Sequence, residues 1–293
     1  MGGASLVQLL INITVLSSFN ILFAVGLALV FGVMKVVNFA HGELYMLGAY
    51  AIWVSITYLR SNLPLPFLFL MAIVIGPLLV GGIGIIIERG LFRPLRRNPF
   101  AVFMASLGLA YVLQVAVAKA FGIENRTLPT VFPGELNLLG GMILRQRLVV
   151  IVFSILMMGC LWYFLMKTRI GRAVRATAQD STSALLQGIS FNMVSALTMG
   201  VGAALAAISG LLMGSIISIG PFMGIEVIWK AFIIVVVGGM GSIGGAVLSA
   251  LLFGVLDSLI IKFGLHQYVT MIDALTMLVV LGFLPQGLLG REV

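Results

Sequence analysis

Charge is scarce along this chain and is confined to short clusters. Only 9% of the 293 residues are charged and 61% are hydrophobic. The apolar residues run in blocks of roughly twenty or more, the length needed to cross a bilayer. A water-soluble domain of this size could not display so much apolar surface and stay dispersed. A bilayer solvates that surface, but it offers the backbone no hydrogen-bond partners, so the spanning segments must be helical. The sequence therefore predicts an all-α polytopic membrane protein of eight or nine transmembrane helices, some broken or re-entrant at glycine-containing segments, forming one unit over 1–293.

The apolar runs fall at 6–34, 41–58, 64–87, 100–121, 148–166, 191–217, 227–237, 246–261 and 268–289. The cluster 88–98 reads as a loop, 122–146 as a more polar segment and 167–190 as a basic segment. No segment is long enough to fold as a separate soluble domain. The stretch before Leu10 has no positive residue and the first run exceeds a signal-peptide core, which predicts a retained first span.

The net charge of +8 would raise nucleic acid as a partner in a soluble protein. Here no basic patch interleaved with aromatic residues supports that partner, and the positive charges mark topology instead. Segment 88–98 carries Arg89, Arg93, Arg96 and Arg97, and segment 167–190 carries Lys167, Arg169, Arg172 and Arg175. They lie two spans apart and so share a side, which the retention of Lys and Arg assigns to the cytoplasm. The C-terminus counts to the inside. The N-terminus counts to the outside if the first two runs are both full spans, and to the inside if the second is re-entrant. Cys160 is the only cysteine, so an intrachain disulfide and a cysteine metal cluster are both excluded. In its apolar run it reads as a small packing residue.

Three segments are candidates for function. The first is the break at 35–43, where Asn38, His41, Gly42 and Glu43 interrupt apolar sequence. Asn38 can cap a new helix, and Glu43 in its first turn suits the helix dipole. The segment reads either as a cap with interfacial polar residues or as a broken helix whose polar end lines a solute path. The second is 238–245, with Gly239, Gly241, Gly244 and Gly245. It imitates a dinucleotide fingerprint, but no alternating strands and helices surround it. It reads as a helix break or tight turn where backbones approach closely, and it resembles the first break in kind. The third is the basic segment, where Arg172, Arg175 and Gln179 recur on one helical face. Asp180 follows, and the stretch from Ala184 to Gly188 ends on a glycine suited to a helix stop. It reads either as a solvated loop or as a short amphipathic cytoplasmic helix with a glycine turn into the next span. Asp257, Asp273, Glu226 and Lys230 are the acids and base in or beside spans, and ion pairs or a proton relay are both open to them. No arrangement suggests catalysis or metal binding, and no P-loop is present.

Three stretches resemble one family. GLALVFGVMKVVNFAHGELYMLGAY (26–50), GRAVRATAQDSTSALLQGIS (171–190) and VVVGGMGSIGGAVLSALLFGVLDS (235–258) are similar to the signatures of bacterial branched-chain amino acid ABC transporter permeases, the LivH subfamily. In the second, only Ala184 and Gly188 match the coupling pattern, and its usual Glu is absent. The resemblance implies a non-enzymatic permease subunit of the bacterial inner membrane, surrounded by lipid and paired with a second, related permease. Two cytoplasmic ATPase subunits would bind the ATP and dock on the coupling segment around 167–190 through Arg172, Arg175, Gln179, Asp180, Ala184 and Gly188. A periplasmic binding protein would deliver leucine, isoleucine or valine past Asn38, His41, Gly42, Glu43 and the 239–245 glycines. The chain itself would carry no cofactor. Urea, short amides or other small amino acids stay open as substrates. A secondary transporter with Asp257 and Asp273 as relay acids, and a passive channel, are the readings from other classes.

Overall fold

The computed structural model describes residues 3–138 and 141–290. Positions 1, 2, 139, 140 and 291–293, which include both ends of the unit read over 1–293, lie outside the described residues.

The chain opens with α1 (Gly3–Met34), a helix of 32 residues and therefore about 48 Å long. α2 (His41–Leu59) follows the first break, and Pro64 opens α3 (Leu65–Ile87). The helix does not stop at the Arg cluster. It passes through one π-helical turn, Glu88–Phe92, into α4 (Arg93–Leu95), so the loop expected at 88–98 is helical as far as Leu95. Asn98 caps α5 (Pro99–Phe121) by accepting from the amides of Phe100 and Ala101 at 3.1 and 3.3 Å. The polar segment then forms an antiparallel ribbon, β1 (Glu135–Leu138) on β2 (Gly141–Leu144), with Glu135 opposite Leu144. This ribbon is an addition to the all-helical expectation. After α6 (Arg145–Lys167) come two short helices, α7 (Arg169–Gln179) and α8 (Ser181–Leu186). The remaining elements are α9 (Phe191–Gly214), α10 (Met223–Gly238), α11 (Ile243–Lys262) and α12 (Val269–Phe283).

Among the described residues, seven helical segments are long and apolar enough to cross a bilayer. The two other long helices, α2 and α10, fall outside that group; both follow breaks, α2 mostly buried in the bundle and α10 half buried. Outward faces carry Leu78, Ile86, Ile155 and Leu278 in the open, as lipid solvation allows. The core gathers Leu22, Phe23, Tyr45, Phe69, Met199 and Phe253 from α1, α2, α3, α9 and α11. Cys160 is exposed on α6 and packs no core.

Contacts along α1 settle its direction. Near its start, Gln8 accepts from the amide of Met142 at 3.1 Å and Asn12 accepts from Arg147 at 3.4 Å. Near its end, Ala28, Leu29, Gly32 and Val33 line a small crevice with Leu165, Val174, Arg175 and Gly241. The basic segment is thus at the far end of α1. Taking the basic side as the inner one, α1 runs from the outer side of the bundle to the inner.

Candidate functional site

The first break sits inside the bundle. Lys35 takes a left-handed turn with φ 55°, and the chain doubles back from the end of α1. The amide of Phe39 donates to Ser106 Oγ at 3.2 Å. Ser106 is seven residues into α5, about 10 Å from its start on the basic side. Asn38 does not cap α2. The cap position is Ala40, with no side-chain hydrogen bond, and the Asn38 amide is turned toward Met199 of α9 at 3.7 Å. The reason is local: His41 N–H already donates to the Asn38 backbone carbonyl at 3.3 Å, a tight turn that carries the side chain away from the helix start.

Glu43 lies in the first turn of α2, as expected, where its charge complements the helix dipole. It is buried, and its Oε1 accepts from Gln114 of α5 at 2.7 Å. His41 is buried with its ring 5.1 Å from that of Phe23. Gly42 meets Gly224, in the first turn of α10, so closely that a Cβ on either would overlap the other's backbone carbonyl. Two helices therefore start against each other within the bundle, α2 leading outward and α10 leading inward. Their dipoles present positive ends at one place, and Glu43 and Glu226 stand in the two first turns. Such paired helix starts are a recurrent construction for solute paths.

The glycines at 239–245 stand elsewhere. Gly239 and Gly241 turn the chain with φ 100° and 85°, and Ser242 caps α11 by accepting from the amide of Gly245 at 3.1 Å. A Cβ at Gly241 would meet Gly32 of α1, at Gly244 the Leu289 side chain, and at Gly245 the Gly238 backbone. Leu288 and Leu289 N–H donate to the carbonyls of Val237 and Gly238 at 2.8 and 3.1 Å. This turn packs the basic-side ends of α1 and α10 against the C-terminal segment. The structure brings Gly42 and Glu43 onto Gly224, Asn38 onto α9 and His41 onto α1, and it sets the 239–245 glycines beside α1 and α7.

The basic segment is ordered into two capped helices. Thr168 starts α7 by accepting from Gly171 N–H at 2.9 Å. Arg172 and Gln179 face outward, whereas Arg175 turns back and donates to the Leu165 carbonyl in the last turn of α6. Asp180 starts α8, accepting from the amides of Thr182 and Ser183 at 2.8 and 3.2 Å. The Ser183 hydroxyl also donates to it, and that bond, with the two amides, holds the Asp180 carboxyl below the usual range. Ala184 is buried against the bundle, and Leu185 and Leu186 project outward, Leu186 84% exposed. Gly188 has φ 81°, its N–H donates to Leu185 and that of Ile189 donates to Ala184, at 2.9 and 3.0 Å. This pair of bonds is the Schellman helix stop that a glycine permits.

Of the two readings open to the acids in the spans, the fold shows the ion pairs, and it adds two groups that the residues alone did not single out. Lys230 of α10 bridges Asp257 of α11 at 2.5 Å and Asp273 of α12 at 2.9 Å. The acids thus form ion pairs with one base, carried by the helix that precedes both of theirs. At the outer side Arg126 stacks on Trp53 at 4.4 Å and pairs its backbone with Ile219. Buried Glu88 pairs with the partly exposed Arg93 and Arg96 at the inner end of α3.

This is the construction of a polytopic membrane transport component, with broken helices in the bundle and a capped helical pair on its basic side. Comparison places it more narrowly. The chain belongs to the family described as branched-chain amino acid transport system / permease component, which matches residues 9–281. It is 35% identical to the high-affinity branched-chain amino acid transport system permease protein BraD of Pseudomonas aeruginosa, over 97% of this chain and 95% of that protein. It is 33% identical to the permease protein LivH of the corresponding system of Escherichia coli K12, with the same coverage. It is 25% identical to the ribose import permease protein RbsC of Haemophilus influenzae, over 97% of this chain and 86% of that protein. No solved structure matches the chain.

Proposed function

We propose that this chain is the membrane permease subunit of an ATP-binding-cassette importer that moves branched-chain amino acids inward. It works with a second, related permease, two cytoplasmic ATPases that bind the ATP, and a periplasmic binding protein. The observation that carries this reading is the α7–α8 pair. It projects from the basic side, is fixed at both ends by caps, and offers exposed Leu185 and Leu186 on a surface that otherwise meets water. Exposed apolar side chains at such a place mark a contact with another protein. The names of the relatives support the solute and the permease role. The abutting starts of α2 and α10, with Asn38, His41, Gly42 and Glu43, shape the path. The 239–245 glycines let the inner ends of α1, α10 and α11 sit close enough to move together.

The test is replacement of Gly188 by Val. A β-branched residue is disfavoured at φ 81°, so the stop after α8 is distorted while every span is kept. The protein should insert normally, and leucine, isoleucine and valine uptake should fall while the ATPases continue to turn over. Normal uptake in that variant would remove the coupling role from α7–α8. Ribose uptake serves as the solute control.

A further inference from the structure

The inner end of α3 carries a construction that the coupling segment alone does not require. The π turn at Glu88–Phe92 ends with Arg93 N–H donating to the Glu88 carbonyl. It inserts an extra residue into the helical repeat and lets Arg93 and Arg96 both close on Glu88. Glu88 is fully buried. Its Oε1 accepts from Arg96 at 2.5 Å and from the Ser195 hydroxyl at 2.6 Å, and its Oε2 accepts from Arg93 at 2.9 Å.

Both arginines also reach the start of α9. Arg93 donates to the Asn192 carbonyl at 3.0 Å, and Arg96 donates to Asn192 Oδ1 and Ser195 Oγ, each at 2.9 Å. Arg96 further lies over the Phe191 ring at 4.4 Å. Every one of these α9 residues is in its first turn and a half, and only 187–190 separate that turn from α8. Higher in the bundle, a Cβ at Gly81 or Gly84 would press on the backbone of Gly200 or Met199, so α3 and α9 are also close-packed along their length. A displaced α8 must pull first on the residues that Glu88 holds.

We propose that Glu88 is a positioning residue that fastens α4 to the first turn of α9, so that α3 and α9 answer the ATPases as one body. This rests on the reading of α7–α8 as the coupling segment. The carboxylate alone reaches both arginines and Ser195. Without it, Arg93 and Arg96 are left as like charges beside a helix start, where positive charge is unfavourable.

The experiment uses the complete transporter in proteoliposomes, on a Cys160→Ser background, reading leucine moved and ATP hydrolysed in the same vesicles. Glu88→Gln keeps the size of the side chain and removes its charge. The leucine-to-ATP ratio should fall at least tenfold, as it should in Gly188→Val. A Glu88→Cys, Ser195→Cys pair should be uncoupled as made, and a short thiol–thiol cross-linker should return its ratio to within twofold of the parent. A merely stabilising ion pair would not give that recovery of ratio at constant protein. An unchanged ratio in Glu88→Gln with Gly188→Val uncoupled overturns the fastening and leaves the coupling segment standing. Unchanged ratios in both overturn the two together. A cross-linked pair that stays uncoupled overturns the fastening, because a covalent tie then fails where the carboxylate succeeds.

Discussion

Replacement of Lys230 by Met tests whether the charges inside the bundle are structural. Lys230 touches Asp257 and Asp273 at once, and both carboxylates are almost wholly buried. Its own side chain is 21% exposed, so the pairs are largely shielded from solvent. Methionine fills similar volume but leaves two carboxylates facing each other without a cation. Removing one partner of a buried pair costs roughly 3–5 kcal/mol, and the partial exposure of Lys230 favours the lower end. At about 1.4 kcal/mol per tenfold, the folded-to-unfolded ratio should fall by about a hundredfold or more. The triple variant Lys230→Met, Asp257→Asn, Asp273→Asn leaves no unpaired charge and should recover most of that loss. The assay is unfolding of the purified protein in mixed micelles as the denaturing detergent fraction is raised. A Lys230→Met protein that unfolds with the parent would refute the reasoning. So would a triple variant no more stable than the single one.

Other perturbations have equally definite outcomes. Gly42→Ala should destabilise by about 1–3 kcal/mol, the usual cost of overpacking, because its Cβ would overlap the Gly224 carbonyl; Gly82→Ala, which meets open space, should not, and the same micelle titration compares them. Asp180 has a depressed carboxyl pKa, so its contribution to α8 is complete above the ordinary carboxylate range and is lost as pH falls through the lower folded value. Protease sensitivity at 180–190 should accordingly rise on acidification in the parent, stay pH-independent in this range in Asp180→Asn, which can still cap, and be high at every pH in Asp180→Ala. Leu186→Glu should release the ATPases during purification while leaving the permease in the membrane, since it removes the most exposed apolar contact of α8.

Much of this could be read from the residues. Apolar runs marked the helices, because bilayer solvation acts on composition directly. The break at 35–43 was visible because Asn38, His41 and Glu43 are costly in an apolar run, and the glycine stop at Gly188 was visible because its φ has few alternatives. What escaped depends on three-dimensional pairing. Gly224 sits after Gly220, Pro221 and Phe222, which look like an ordinary turn, and nothing local says that Gly42 lies against it. The 239–245 glycines resembled the first break in composition, yet they pack against α1 and the C-terminal segment. Glu88 was hidden among arginines that look like the end of a span. The signal was its spacing to Arg93 and Arg96, five and eight residues on, which converges on one face once a π turn is inserted. Asp257 and Asp273 could be read as relay acids or paired ones, since only the fold brings Lys230 to both.

The central claim is that an ATPase, rather than an ion gradient, drives solute through this bundle. It is tested most directly by uptake of labelled leucine in cells lacking this chain and in the same cells with it restored, under ATP depletion and under a protonophore with ATP held constant. The account predicts restored uptake that fails on ATP depletion and persists with the protonophore. Restored uptake that collapses with the proton gradient while ATP is intact would contradict it and return Asp257 and Asp273 to the role of relay acids.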